Sequence, residues 1–449
     1  MIGGGFSGLL TALHLLTAAP GVTVRLVERA RAFGRGRAYA TAHPDHLLNV
    51  RASNMSAFPD RPGHFLDWLR GQGQVLYDGF VSRGRYGDYL QHLMRQALSR
   101  PGQAGRLLLE ADEAVAVRSQ TGGFEVELAL GRTFAADAAV LAVGALPPRP
   151  PFGVRAAALV APGYFPDPWA VEVGELPLGE VLLLGSGLTM IDVALSLASH
   201  GRPLVALSRR GLLPRIHAST TPSPPPDGLP ASPVRALGLL RAHAEAVNWR
   251  EAVDSVRPVT ATIWRSWTLK QRRQFLRHLR PWWDAHRHRM APVVGARVSG
   301  LLGGGALTIE AGRLSRLEPK ANGFEAEYLP RGELRAVRRT FAAVVDCTGP
   351  TGDFARDRSG LLPRLLADGL IAPDALGLGY AMGDDLRVLG RDGAPTPGLF
   401  AVGPLTRGAS WESNAIPDLR NQAQAVAATV AAALGARASE RAAERVTAP

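Results

Sequence analysis

Residues 2–8 read Ile-Gly-Gly-Gly-Phe-Ser-Gly, residues 9–16 continue Leu-Leu-Thr-Ala-Leu-His-Leu-Leu, and residues 22–28 read Val-Thr-Val-Arg-Leu-Val-Glu. Gly3, Gly5 and Gly8 fit the G-x-G-x-x-G spacing, the apolar run after them has helical character, and Pro20-Gly21 ends it. A strand-like run follows and closes on Glu28, which stands 20 residues beyond Gly8 (28 − 8). Glycines at these places let a backbone approach a pyrophosphate at a helix start, where unpaired N–H groups and the helix dipole favour anions. A carboxylate at this distance accepts from ribose hydroxyls. The strand, turn, helix, strand and acid together predict a dinucleotide site. Its turn is Gly3, Gly5, Phe6, Ser7 and Gly8, and its ribose end is Glu28 and Arg29. The strand before the glycines should supply about five residues, yet only Met1 and Ile2 precede Gly3. Burial of three or four further apolar residues at about 1.5–3 kcal/mol each approaches the whole stability of a domain, so the natural chain is expected to begin upstream of Met1.

The pattern recurs. Residues 181–193 read Val-Leu-Leu-Leu-Gly-Ser-Gly-Leu-Thr-Met-Ile-Asp-Val. Gly185 and Gly187 supply the tight turn and the close approach, Leu188 and Thr189 open the helix, and Met190 takes the third glycine position. The next strand, 203–207, ends in Ser208-Arg209-Arg210, and Ser208 stands 21 residues after Gly187 (208 − 187). A hydroxyl and two guanidiniums replace the acid. Arginine binds a 2′-phosphate through paired charge-assisted hydrogen bonds, whereas a carboxylate would repel it. The second site is therefore expected to prefer NADPH to NADH.

Both units close on a buried strand and a small-residue turn: residues 138–144 end in Gly144, and residues 342–350 carry Cys347-Thr-Gly-Pro350. A third strand-turn, Leu399-Phe-Ala-Val-Gly403, leads through Trp411-Glu412 and Asn414 to Pro417 and Asp418, where an Ala-rich helix to Leu434 begins, followed by a tail expected to fray. A helix is also expected at Leu361–Leu370. This return predicts a discontinuous first domain: 1–160 and 346–449, with 161–345 inserted and itself carrying a helical segment at about 221–290. The fold class is α/β, with two Rossmann-like dinucleotide-binding domains and a helical insertion.

With 449 residues, two or three domains are the prior. The formal charge of +12 is almost all arginine, Lys270 and Lys320 being the two lysines. Such a skew fits coding bias plus cofactor phosphates better than a nucleic-acid surface. Trp264, Trp267, Trp282 and Trp283 could stack bases, but helical tryptophans are more often core. No apolar run is long enough to span a bilayer, and the apolar start lacks a basic segment, so neither a membrane anchor nor a signal peptide is expected. One cysteine excludes an internal disulfide and a C-x-x-C pair. Cys347 reads as packing, no metal-ligand spacing stands out, and a cytoplasmic location follows.

The motifs His46-Leu-Leu-Asn-Val50, Gly185-Ser-Gly-Leu-Thr189, Trp282 to Arg289, Cys347-Thr-Gly-Pro350, and Trp411-Glu412 through Ile416-Pro-Asp-Leu-Arg420 resemble the bacterial YdhS-like FAD/NAD(P)-binding family. That family is related to class B flavin monooxygenases and amino-acid N-hydroxylases, and the likeness spans the chain in order. The resemblance implies FAD at the first site, with Asn49, Gly144, Gly403, Asn414, Pro417 and Asp418 added to its turn and acid. It implies NADPH at the second. It also places Arg51, Trp411 and Glu412 near the flavin, with Arg51 a candidate for a substrate carboxylate, and makes His286, Arg287 and His288 candidates to close over nicotinamide or substrate. With no second redox centre, molecular oxygen is the expected electron acceptor. A C4a-hydroperoxyflavin would then hydroxylate a small amine or amino-acid-like substrate. The alternatives are a simple NADPH–flavin reductase and, from another class, a flavin-containing nucleic-acid-binding or sensor protein.

Overall fold

The computed structural model describes residues 1–74, 79–355 and 360–447, and its contacts divide the chain into two compact units. Residues 75–78, 356–359, 448 and 449 lie outside the described residues. Unit 1 comprises 1–44, 50–145 and 352–449; unit 2 comprises 45–49 and 146–351. The crossings fall after Ala145 and Thr351, so the strand-end segments 146–160 and 346–351 sit with unit 2.

Unit 1 is built on strands β1 (Val24–Val27), β2 (Leu107–Glu110), β3 (Ala114–Gln120), β4 (Gly123–Leu128), β5 (Thr133–Ala136) and β6 (Ala139–Leu141), before the chain enters unit 2. β1 pairs in parallel with β2, and Ile2 makes parallel bridges to both Val27 and Leu141. Ile2 thus holds the central place between β1 and β6, and the Gly3 N–H donates to the Val27 carbonyl at 3.0 Å. The helix Phe6–Ala18 is apolar nearly all round and is buried from Phe6 to Leu13 and again at Leu15 and Leu16. Such a helix belongs inside a domain, covered on every side. Strands β3, β4 and β5 form a separate antiparallel meander.

Unit 2 contributes β7 (Tyr164–Phe165), β8 (Val181–Leu184), β9 (Leu204–Ser208), β10 (Leu307–Lys320), β11 (Gly323–Pro330), β12 (Val337–Phe341) and β13 (Ala343–Asp346). They lie in one seven-stranded sheet, ordered β12-β11-β10-β9-β8-β13-β7. β8, the Val-Leu-Leu-Leu strand that leads into the second turn, is buried at every residue and has parallel neighbours on both sides. That is the pattern of a strand covered on both faces. β10 is long enough to serve two partners: its first residues pair in parallel with β9, and the rest pair antiparallel with β11.

The helical insertion runs through Pro233–Ala246, Trp249–Ser255, Thr260–Ser266 and Arg280–Arg287 and continues into Pro292–Gly303, beyond the expected end near 290. Trp264 and Trp267 are core residues, packed edge-on at 6.1 Å, and Trp264 meets Phe275 the same way. The Trp267 indole N–H donates to the Ala231 carbonyl at 2.7 Å. Only Trp282 of the four tryptophans is exposed, so they form no base-stacking platform.

The chain re-enters unit 1 and forms β14 (Arg387–Leu389) and β15 (Pro395–Ala401), β15 being parallel to β6. The helix expected at 361–370 stops at Ala367, because Gly369 turns to φ +75° and its N–H bonds back to Leu366. The last helix is longer than expected, Ile416–Thr447. Its Ala, Glu and Arg residues are among the strongest helix formers, and they carry it through the tail that was expected to fray.

Candidate functional site

In the first turn each glycine answers a different need. Gly3 has φ +103°, and a Cβ there would lie 2.2 Å from the Ala142 carbonyl oxygen. A Cβ on Gly8 would lie 1.9 Å from the Gly3 carbonyl oxygen, so the third glycine sets how closely helix and strand pack. Gly5 is the N-cap of the helix Phe6–Ala18 and offers no side-chain cap. The first N–H groups of that helix are therefore available to an anion. Glu28 locks the turn: one carboxylate oxygen accepts from the Gly4 N–H at 2.9 Å and the other from the Ala30 N–H at 2.9 Å. Each oxygen keeps a second lone pair for a hydroxyl.

Phe6 packs against Tyr39 and Tyr86 with ring centres 6.4 and 6.2 Å away. Ser7 is buried, its hydroxyl 3.1 Å from where a Cβ would stand on Gly403. Gly144, at φ +77°, has open space on that side. Arg29 pairs on the surface with Glu113. Trp411 is buried beneath the Arg407 guanidinium, 3.9 Å above its ring, and Glu412 is buried beside it. Asn414 is exposed, and Pro417 and Asp418 lie in the first turn of the last helix. The Arg51 guanidinium lies 5.7 Å from the Phe80 ring centre. Asn49, expected with the flavin residues, clusters with unit 2, where its carbonyl accepts from His217 Nε2 at 3.0 Å. His46 holds the same segment there through Nε2, donating to the Asp192 carbonyl at 3.1 Å. Sequence reasoning missed Gln422. Its amide oxygen accepts from the Gly403 N–H at 3.0 Å and its nitrogen donates to Thr406 Oγ1 at 2.7 Å, fixing the third glycine turn.

The second turn has the same plan within unit 2. Gly185 has φ +113°, and a Cβ would lie 2.6 Å from the Cys347 carbonyl oxygen. Gly187 caps the helix Leu188–Ala198 without a side-chain bond and has nothing within 4 Å of a would-be Cβ. A space of that kind beside an uncapped helix start fits a pyrophosphate. Leu188 and Thr189 open the helix half-buried, and Met190 is fully buried. Ser208 Oγ lies 2.7 Å from Ser186 Oγ and accepts from the Gly211 N–H at 3.0 Å, so this hydroxyl shapes the turn. Arg209 is exposed and Arg210 half-buried, and among the described residues neither guanidinium makes a hydrogen bond or an ion pair. Burial first, then the charges of Arg209 and Arg331, hold the Arg210 guanidinium below the ordinary arginine range.

In the helical insertion His286 donates through Nδ1 to the Trp282 carbonyl at 2.8 Å and sits edge-on to Trp249. Arg287 is half-buried. Arg289, which ends the Trp282 to Arg289 motif, is 1% exposed and pairs with Asp254. Cys347 is buried, and burial pushes its thiol well above the usual range. Among the described residues no group of three or more His, Cys, Asp or Glu side chains is placed to hold a metal ion, and no helix is long and apolar enough to cross a membrane.

Residues 1–146 match a protein-family model described as FAD-NAD(P)-binding. Along nearly its whole length the chain superposes on solved flavoproteins. The Kutzneria sp. 744 ornithine N-hydroxylase matches with a TM-score of 0.67 at 15% identity, over 97% of this chain and 98% of that one. The two-unit flavoprotein fold is theirs. The L-lysine 6-monooxygenase of Pseudomonas syringae matches with a TM-score of 0.66 at 21% identity, over 96% and 98%. The cadaverine monooxygenase of Erwinia amylovora, solved bound to FAD, matches with a TM-score of 0.67 at 12% identity, over 96% and 94%. No curated protein sequence matches this chain. The comparison thus rests on the family-model match over residues 1–146 and on three-dimensional likeness.

Proposed function

We propose that this chain is an NADPH-dependent FAD oxidoreductase that hydroxylates the amine of a small amine or amino-acid-like substrate with molecular oxygen. The observation that carries it is the pair of uncapped helix starts, one closed by a carboxylate and the other by two unpaired guanidiniums. Gly5 and its following N–H groups would hold the FAD pyrophosphate, and Glu28 would hold the ribose. Gly187 would receive the NADPH pyrophosphate, and Arg209 and Arg210 the 2′-phosphate. When bound, FAD would take hydride from NADPH and pass the electron pair to oxygen. The overall reaction is NADPH, O2, a proton and an amine giving NADP+, water and a hydroxylamine. The likeness to three amine-hydroxylating monooxygenases supports this direction. The one cysteine is buried, with its thiol held protonated, which leaves no thiol pair for disulfide reduction. A cytoplasmic location fits an NADPH-fed reaction.

The test is a coupling measurement on FAD-loaded protein. NADPH consumed, hydrogen peroxide released and hydroxylamine formed are measured with lysine, ornithine, cadaverine and aspartate. Hydroxylamine accounting for most of the NADPH with one of these amines supports the proposal. Peroxide accounting for all of it with every amine would make the chain a reductase or oxidase instead.

A further inference from the structure

We propose that Arg331, in the turn after β11, is a third guanidinium for the 2′-phosphate of NADPH and a determinant of the choice between NADPH and NADH. The inference rests on reading the second turn as the NADPH site.

Arg331 is far from Arg209 and Arg210 in sequence, and sheet register brings them together. β9 ends at Ser208, and Ala311 on β10 is its parallel partner. β10 then runs past the end of β9 and pairs with β11, with Gly312 opposite Pro330. The next residue, Arg331, donates its backbone N–H to the Ala311 carbonyl at 2.8 Å. On the other side of Ala311 lies the turn that carries the two arginines. Gly211 closes that turn at φ +63°, and a Cβ on it would be 3.1 Å from the Ala311 Cβ. Ala311 is small enough for both turns to close against it, so the turn carrying Arg210 and the turn carrying Arg331 share it as a neighbour.

Charge supplies the second argument. Among the described residues the guanidiniums of Arg209, Arg210 and Arg331 have no carboxylate partner. Glu310, one residue before Ala311, is engaged by Arg339 and by the Tyr328 hydroxyl. Burial first, then the charge of Arg209 and that of Arg331, hold the Arg210 guanidinium below its ordinary range, so Arg331 lies within electrostatic reach of it. Three like charges at one strand end, with the adjacent acid committed elsewhere, disfavour one another until an anion joins them. A phosphate monoester brings a charge of roughly −1.5 to −2 and three strong acceptor oxygens. The adenosine 2′-phosphate is the group on NADPH, missing from NADH, that meets the end of this strand in such folds.

Two variants and two readouts test it. Arg331→Gln and Arg331→Lys are compared with the unchanged chain for binding of adenosine 2′,5′-bisphosphate and of 5′-AMP by calorimetry, which does not depend on turnover. KM values for NADPH and NADH are measured alongside. Arg331→Gln should weaken 2′,5′-bisphosphate binding and raise the NADPH KM about tenfold or more. The 5′-AMP affinity, NADH KM and kcat should stay within about twofold. Arg331→Lys should recover part of the loss, since it keeps the charge without the paired geometry. Equal effects on both nucleotides, or none on either, would overturn the role of Arg331. Loss of 2′-phosphate preference in Arg209→Ala/Arg210→Ala beside an unaffected Arg331→Gln would leave the NADPH reading standing and remove only this residue from it. No loss in the double variant would instead defeat the NADPH reading itself.

Discussion

Replacing Gly8 by alanine should destabilise unit 1 and release FAD, although alanine is the better helix former. Gly8 lies in the first turn of the helix Phe6–Ala18, and a Cβ there would stand 1.9 Å from the Gly3 carbonyl oxygen. A carbon and a carbonyl oxygen ordinarily meet at about 3.3 Å, so the helix would have to retreat by about 1.4 Å. Neither partner has a rotamer to change, because one is backbone and the other is a Cβ. Overpacking of this kind costs about 1–3 kcal/mol, and rigid partners push it to the upper end. Against that, glycine to alanine within a helix gains about 1 kcal/mol. The net loss is about 2 kcal/mol, or about 4–8 °C in the unfolding midpoint for a unit of this size. The retreat also moves the uncapped N–H groups of residues 6–8 away from the pyrophosphate. Gly238 is the control. It sits in the helix Pro233–Ala246 with nothing within 4 Å of a would-be Cβ. Gly238→Ala should therefore stabilise by about 0.5–1 kcal/mol. Thermal unfolding followed by flavin fluorescence and circular dichroism reads both. A Gly8→Ala protein that keeps its midpoint and its FAD affinity would refute the packing argument.

Three further outcomes follow from the same geometry. Arg209→Ala with Arg210→Ala should raise the NADPH KM at least tenfold, a charged hydrogen bond being worth about 1.5–3 kcal/mol, and leave the NADH KM nearly unchanged; steady-state kinetics with both nucleotides checks this. Cys347 is buried with its thiol pushed well above the usual range, so Ellman's reagent at pH 8 should react only as the protein unfolds, and rapid reaction of native protein would contradict its placement. Asp346 is 1% exposed, and burial raises its carboxyl above the ordinary 3.8. The folded chain then holds this proton to higher pH than the unfolded one, and the residue's contribution to stability falls as pH rises from the ordinary value through the raised one. Asp346→Asn keeps an oxygen to accept from the Thr348 N–H and hydroxyl, so it should be more stable than the unchanged chain at pH 7 and equal to it near pH 3; urea midpoints across that range decide.

The fold class could be read from the sequence because its signals are local. A strand, a glycine turn and a helix occupy adjacent residues, and their repetition marks two Rossmann-like units. What could not be read depends on register between distant segments. Asp45–Asn49 lies inside the unit 1 stretch of the chain, yet His46 and Asn49 bond to Asp192 and His217 of unit 2. Nothing in five residues announces partners more than a hundred positions away. Arg331 is likewise brought near Arg210 by a strand, β10, that serves two neighbours. The tryptophans show the limit from another side. Four of them in the helical insertion carry the same local signal, but two are buried, Trp283 is half-buried and Trp282 is exposed. Glu28 was legible as an acceptor; that it spends one lone pair of each oxygen on the turn itself was not.

Met190 shows which part of a glycine fingerprint belongs to the ligand. In the first turn the third glycine is demanded by the Gly3 carbonyl, a packing contact between helix and turn. In the second turn the equivalent position carries a fully buried methionine. A long unbranched thioether can thread an irregular gap, so a buried side chain is accommodated where the first turn has none. The features the two turns share are the positive φ of Gly3 and Gly185 and the uncapped starts at Gly5 and Gly187. Those two requirements come from the tight turn and from the anion. The third comes from how closely each helix happens to lie on its sheet, and a chain may meet it with either no side chain or a compliant one.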